Sequence, residues 1–358
     1  MIISCTSFYL LGIIYVKLKI FVTILISFLV AYIINYLPEL LDMFVENMKI
    51  NQNITLNDKN WFQTGGAAKY FCEPTTEKEF AAALDFARQN RLEIFVLGLG
   101  ANILIGDDGF DGLVIRPKLC ILEADYENGK VSAGAGVKIQ DLIDFCIANR
   151  LVSLEEFSHI PGTVGGSVYI NIHYFDYFLA DFLVSARVIE KQSGKILDID
   201  KSWFEFGYDK SKLLSGDYFL ISAIFNLKKG TELDAEYARG RRDEIIRHRM
   251  RRYPNSNTCG SFFRNFHEDE VDFLINGKKL LFVGYYLDKI GIKGELAVGN
   301  AIVSHQHANM IVTKPGATSN DVIGLARKMQ ELVKERYGIT PRSECQLIGF
   351  KKNPLLFD

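Results

Sequence analysis

Glycine clusters at 98–102, 134–136 and 161–166 constrain this chain more than any other feature, because of what surrounds them. Ile94–Leu97 is a short apolar run that enters Gly98-Leu99-Gly100-Ala101-Asn102 directly. Glycines after a strand let the backbone turn sharply and let amide N–H groups approach an anion with no Cβ in the way. The dinucleotide-binding fingerprint of doubly wound sheets needs a further glycine three residues on, then a helix. Here Ile103 stands at that place and a second apolar strand follows, so the match is poor. Pro161-Gly162-Thr163-Val164-Gly165-Gly166 is a second loop of the same character, with successive amides and a hydroxyl suited to phosphate oxygens. Gly134 and Gly136 lie between the two. Together these loops suit a dinucleotide, and ordinary β-turns are the alternative. The candidate cofactor residues are Gly98, Gly100, Ala101, Asn102, Gly134, Gly136, Pro161, Gly162, Thr163, Gly165 and Gly166.

Around the corners the chain alternates element types. Glu77–Asn90 and Lys138–Asn149 carry apolar residues at helical spacing, while Leu113–Arg116 and Lys130–Ala133 read as strands. From Val184 to Leu227 the pattern is strand-rich: Val184–Glu190, a Ser193-Gly194 turn, Lys195–Ile199, then Tyr218–Leu227. After Gly230, Glu236–Arg252 reads as a basic helix with seven arginines. Asn320–Tyr337 reads as a helix capped by Thr318 or Ser319 and stopped by Gly338. The expectation is an α+β protein with three parts, 48–117, 118–229 and 230–358, after an apolar extension over 1–47.

The net charge of −2 argues against a nucleic-acid partner. Six cysteines without C-x-x-C spacing read as reduced thiols of a cytosolic protein, neither a disulfide framework nor a zinc site. The extension raises a separate question. Ile20–Leu37 is about the shortest length that spans a bilayer, with Lys17 and Lys19 before it and Glu39, Asp42 and Glu46 after. The positive-inside rule would then export everything that follows, which conflicts with a cytoplasmic nucleotide enzyme. Two readings fit: a membrane tether, or a start upstream of the true one at Met43 or Met48. The second is the expected one, and a membrane partner follows only if 1–37 is translated.

Five segments then take on meaning as a set: Asn60-Trp61-Phe62-Gln63-Thr64-Gly65-Gly66, VLGLGANILI at 96–105, IPGTVGGSVYIN at 160–171, GSFFRN at 260–265 and SHQHAN at 304–309. In this order they resemble the UDP-N-acetylenolpyruvoylglucosamine reductase family, in its shorter subtype, over roughly 54–350. The resemblance implies FAD, bound with the help of Thr64, in a vanillyl-alcohol-oxidase/PCMH-type fold of two subdomains. It implies a C-terminal α+β domain that binds the UDP-sugar. It further implies that hydride from NADPH reaches the vinyl carbon of UDP-N-acetylglucosamine enolpyruvate by way of the flavin, in peptidoglycan synthesis. Ser261 matches the proton donor and Glu344 the catalytic carboxylate, for which a raised pKa is expected. Tyr208, Asn265 and Asn309 are candidate substrate contacts, and Arg242 with Arg247 on the basic helix would attract the diphosphate, unless that helix is simply a solvated face. His305 and His307 alternate on an apparent strand and lack a third metal ligand.

Three departures from the family pattern stand out. Gly207-Tyr208-Asp209-Lys210-Ser211 has Asp209 where the family carries an Arg that meets the substrate carboxylate, and Lys210 or Lys212 would have to supply that charge. His173 replaces a customary Gly, and Phe266 a common Pro. A flavin oxidase on the same cofactor fold, or a non-catalytic UDP-sugar-binding tethered protein, are the alternative functions.

Overall fold

Beneath the first glycine corner lies a mixed sheet. In the computed structural model, which describes residues 49–356, its strands run in the order Asn51–Thr55, Ala67–Cys72, Phe110–Ile115, Glu93–Val96. The first pair is antiparallel and the other two are parallel. The helix Glu77–Gln89 supplies the crossover; its capping box joins Thr76 and Glu79, and Phe80, Ala83, Leu84 and Ala87 face inward. They pack against Leu113, Ile115 and, from the next sheet, Ile189 and Ile221. Each such large apolar side chain contributes about 2 kcal/mol by leaving water.

The second sheet is antiparallel and five-stranded: Ile196–Asp200, Leu183–Glu190, Tyr218–Asn226, Lys130–Gly134, Leu122–Asp125. The helices Ile139–Ala148 and Val164–Ile170 contribute Leu142, Ile143 and Val168 to the core that includes Val131, Ala133, Val188 and Phe225. The strand-rich stretch expected from 184 onward is thus one sheet, entered by Lys130–Gly134 from earlier in the chain.

The basic helix begins a turn earlier than its apolar pattern suggests, at Glu232, because Thr231 and Asp234 form a capping box. It buries only Ala235, Ala238 and Ile245. Ion pairs hold it instead. Arg241 grips Glu156 at 2.7 and 2.9 Å, and Arg242 grips Asp144 at 2.7 and 2.8 Å. Beyond it, Ser319–Tyr337 is a helix with Thr318 as N-cap and Gly338 in the left-handed conformation at its end. Its apolar face, with Leu325, Met329 and Val333, packs on Phe262, Phe263, Tyr286, Leu287, Val303 and Ile311.

Two connections cross the expected divisions of the chain. Phe62 and Leu104 belong to this C-terminal core. The strand Gln346–Ile348 returns to pair in parallel with Ile103–Ile105. Among the described residues no helix is long and apolar enough to cross a membrane. The apolar run 20–37, with Met43 and Met48, lies outside them.

Candidate functional site

The two glycine loops meet. A Cβ on Gly98 would sit 2.9 Å from the Thr163 hydroxyl, so a side chain there would separate the corners. Gly100 has φ +66°, and a Cβ would lie 2.6 Å from both the Asn60 Cα and the Lys59 carbonyl oxygen. Asn60-Trp61 therefore underlies the loop, and the Trp61 amide donates to the Gly100 carbonyl at 3.0 Å. The second loop is less free than its composition suggests. It starts a helix, with the Thr163 side chain accepting from the Gly166 amide at 3.2 Å. The Val164 and Gly165 amides already donate to Val137 and Ala135.

Between the loops opens a cavity of about 280 Å3, lined by 94–103, Ala135, 161–163 and 165–167, and closed on other sides by Tyr169, Ile172, Leu213, Phe219, Gln346 and Ile348. All the expected cofactor residues of the two loops are in its wall. Gly134 and Gly136 are not. They let the strand press on Leu119 and Pro117, where a Cβ would come within 2.1 and 2.6 Å of a carbonyl oxygen, while Ala135 between them faces the cavity. Thr64 is buried outside the wall, its hydroxyl without a partner.

The cavity wall fits a dinucleotide diphosphate on two observations. No amide from Gly98 to Asn102 donates to another described residue. Asn102 Oδ1 is buried with no hydrogen-bond partner, an acceptor suited to an N–H or O–H of the dinucleotide beside its diphosphate. Consecutive free N–H groups on a glycine loop form an anion-binding concavity.

Near the cavity, the segment 261–264 is extended and is bridged on both sides. Ser261 bridges Met310, and Phe263 bridges Ser343, both antiparallel. The Phe262 amide donates to the Asn309 carbonyl at 2.8 Å, and the Glu344 amide donates to the Phe262 carbonyl at 2.9 Å. Three distant parts of the sequence thus bring Ser261 and Glu344 together. Asn309 is spent on this assembly: its side chain accepts from the Phe263 amide at 3.1 Å and donates to the Phe263 carbonyl at 2.7 Å. Ser261 Oγ makes no hydrogen bond among the described residues.

The Glu344 carboxyl is pushed up to about 8, first by burial and then by the neighbouring charge of Asp209. The Asp209 carboxyl is also raised by burial, with His173 pulling the other way. His173 Nδ1 lies 3.4 Å from Asp209 Oδ1, and its ring stands 4.4 Å from that of Tyr208. Asn265 hydrogen-bonds the Tyr208 hydroxyl. Asn171 makes this meeting possible. It sits at φ 52° after the helix Val164–Ile170, accepts from the Ala180 amide at 3.0 Å and donates to the Gly207 carbonyl at 2.9 Å. One side chain therefore ties the turn at Ala180, just after the 173–178 hairpin, to the 207–210 turn.

Several expected residues are placed elsewhere. Lys210 is exposed with no ion pair among the described residues, and Lys212 lies 3.6 Å from Glu205 and 4.8 Å over the Trp203 ring. The group beside Asp209 is His173, a contact invisible at the level of spacing. Arg242 is engaged by Asp144, Gln140 and Ser158 and is nearly covered. His305 and His307 are not on a strand. Ser304 Oγ accepts from the Gln306 and His307 amides, which makes 304–309 a turn. Burial there, with Arg252 and Lys293 nearby, brings His307 down to about 4.

A glycine-loop cavity on a mixed sheet followed by an antiparallel one defines an FAD-binding protein, and the family model described as "FAD binding domain" matches residues 68–200. A second, described as "UDP-N-acetylenolpyruvoylglucosamine reductase, C-terminal domain", matches 252–348. UDP-N-acetylenolpyruvoylglucosamine reductase of Lactobacillus delbrueckii subsp. bulgaricus is 34% identical over 315 residues, covering 87% of this chain and 99% of that one. The enzyme of the same name from Trichormus variabilis is 32% identical over 305 residues, covering 85% and 87%. The solved structure of the Thermus caldophilus reductase superposes with a TM-score of 0.68 at 27% identity, over 84% of this chain and 99% of that one. The chain belongs to the UDP-N-acetylenolpyruvoylglucosamine reductase family. It is an FAD-dependent oxidoreductase of a family that takes its electrons from NADPH.

Proposed function

We propose that this chain reduces the enolpyruvyl double bond of UDP-N-acetylglucosamine enolpyruvate to give UDP-N-acetylmuramate, with NADPH as reductant, in the cytosol and for peptidoglycan synthesis. The observation that carries the proposal is the backbone hydrogen bonding that sets the Ser261 and Glu344 segments side by side near the glycine-loop cavity, with burial raising the Glu344 carboxyl. The free amides of 98–102 would hold the diphosphate of FAD, Asn102 Oδ1 would accept from an N–H or O–H of the cofactor, and Ala135, Pro161, Gly162, Thr163, Gly165 and Gly166 line the same space. Bound FAD supplies the electron chemistry, passing the reducing equivalents of NADPH to the substrate.

The residues of the chain do the rest. Reduction puts a hydride on the terminal vinyl carbon and a proton on its neighbour. Between the two additions, charge spreads over that neighbour and its carboxylate. A hydroxyl is a weak acid and protonates carbon only when that carbon is strongly basic and in contact with it. Ser261, with no competing hydrogen bond among the described residues, meets the second requirement once substrate is bound. A neutral Glu344 adds no repulsion to the developing anion and donates a hydrogen bond to it. Tyr208 and Asn265, at the mouth of the site, would contact the substrate body.

The test follows NADPH oxidation by the flavin-loaded protein with and without UDP-N-acetylglucosamine enolpyruvate. Substrate-dependent oxidation that disappears in Ser261→Ala supports the proposal. Flavin-loaded protein that oxidises NADPH at the same rate with or without this substrate overturns it.

A further inference from the structure

A carboxylate-bearing substrate entering this site meets two carboxyl groups, Glu344 and Asp209, which already act on each other. Neither carboxyl group can supply a cation for that carboxylate, and an ionised Asp209 would repel it, so affinity requires a donor from elsewhere. The basic groups one would first consider are committed or remote. Arg242 is bound to Asp144, Lys212 lies over Trp203, and Lys210 points into solvent. Arg249 stacks on the Tyr174 and Tyr253 rings at 5.4 and 5.1 Å.

His173 is different. Its Nδ1 is buried and unpartnered, with Asp209 Oδ1 3.4 Å away in a contact that does not form a hydrogen bond. The ring is flanked by Phe178 at 5.4 Å and Tyr208 at 4.4 Å. These flanks and the Asn171 tie hold its position. Ile172, the residue before it, lines the cofactor cavity, as does Gln346, two residues after Glu344. The imidazole is not itself part of that wall; its contact with Asp209 sets it beside the carboxyl groups. The groups that face it are Asp209 and Tyr208 from the 207–210 turn and Phe178 from its own hairpin. Glu344 bears on Asp209 and Tyr208 from the C-terminal segment.

We infer that His173, steadied by Asp209, is the donor that receives the carboxylate of the enolpyruvyl group. An imidazole N–H can donate to the anion from the ring nitrogen that does not face Asp209. This rests on the substrate class proposed above, and it assigns the carboxylate to a residue outside the Ser261–Glu344 pair.

The experiment is a binding comparison made without NADPH and read from the flavin spectrum. UDP-N-acetylglucosamine enolpyruvate carries the carboxylate and UDP-N-acetylglucosamine does not. The ratio of their dissociation constants reports what the enolpyruvyl group, carboxylate included, contributes, and does not depend on turnover; the change in that ratio on substitution reads the contact with His173. His173→Gln is expected to reduce that ratio about ten-fold, as loss of one hydrogen bond to a charged group does, with flavin content unchanged. Asp209→Arg in the His173→Gln background, which puts a cation on the other side of the contact, is expected to restore it. An unchanged ratio in His173→Gln overturns the inference, as does a loss of the ratio in Lys210→Met alone. A wild-type protein that shows the ratio but never turns over would sink the reductase reading and leave the assignment of His173 intact.

Discussion

The Glu344 amide donates to the carbonyl of Phe262, one residue beyond Ser261, at 2.9 Å. With the Cys345 amide donating to the same carbonyl and the Arg264 amide to the Arg342 carbonyl, backbone hydrogen bonds hold the segments that carry the hydroxyl and the carboxyl side by side.

The raised Glu344 carboxyl makes a prediction about pH. Its ordinary value is 4.5 and in the folded chain it stands at about 8. Across that window the folded protein holds a proton that the unfolded chain has lost. Stability is therefore full below about 4.5 and declines as pH rises toward 8, by up to about 1.4 kcal/mol per unit. Thermal melts of the wild type should show this slope, and Glu344→Gln should flatten it. Turnover should fall as pH rises through about 8 if the neutral acid is the working form.

Ser261→Ala should reduce substrate turnover by a factor of about 100 to 10,000, the usual range for losing a positioned proton donor. The rate at which NADPH bleaches the bound flavin should not change, because no proton is delivered to carbon in that half of the cycle. Stopped-flow absorbance separates the two. Equal losses in both halves would point to a damaged site instead of a lost donor.

Gly100→Ala should expel cofactor. The residue sits at φ +66° and its new methyl would meet Asn60 and Lys59 backbone atoms at 2.6 Å. The strained backbone alone costs about 1–3 kcal/mol. Flavin absorbance per mole of purified protein is expected to drop well below that of the wild type. Full occupancy in the variant would show that loop 98–102 does not hold the diphosphate.

Asn309→Ala should unfasten the Ser261 segment. It leaves the buried Phe263 amide and carbonyl each without a side-chain partner, at roughly 1–3 kcal/mol for an unsatisfied group. The expected signature is a lower melting temperature together with lost turnover. A loss of substrate affinity at unchanged stability would show that Asn309 touches the sugar after all.

Arg242→Ala separates a brace from a ligand contact. Its guanidinium joins the basic helix to Asp144 and Gln140 on a neighbouring helix. The expected effect is a loss of about 1 kcal/mol in denaturant unfolding, with the substrate KM close to wild type. A raised KM at full stability would place it on the diphosphate.

What was legible beforehand follows from the range of the forces involved. The helix ending at Gly338, the glycine corners and the absence of a helix after Asn102 depend on neighbours a few residues away, and they read directly from the chain. The earlier start at Glu232 was also written there, as Thr231 and Asp234, but the apolar periodicity drew the boundary later. The turn at 304–309 was missed because a single hydroxyl, Ser304 Oγ, overrode an alternation that looked like a strand. The meeting of His173 with Asp209 depends on Asn171 reaching across 36 residues to Gly207, and no local signal reports that. Likewise, spacing does not show that Arg242 is occupied by Asp144, or that Gly134 and Gly136 accommodate Leu119 and Pro117.

The parallel pairing of Gln346–Ile348 with Ile103–Ile105 has a consequence for biosynthesis. Ile348 and Gln346 are part of the cavity wall that Leu97 and Gly98 begin. A ribosome must therefore deliver both ends of that wall before it can close, and Ile103–Ile105, whose one strand partner among the described residues is Gln346–Ile348, stays unpaired in the meantime. Flavin loading is a late event in the life of this chain, and nascent polypeptides stalled before Gln346 present an unpaired strand to one another.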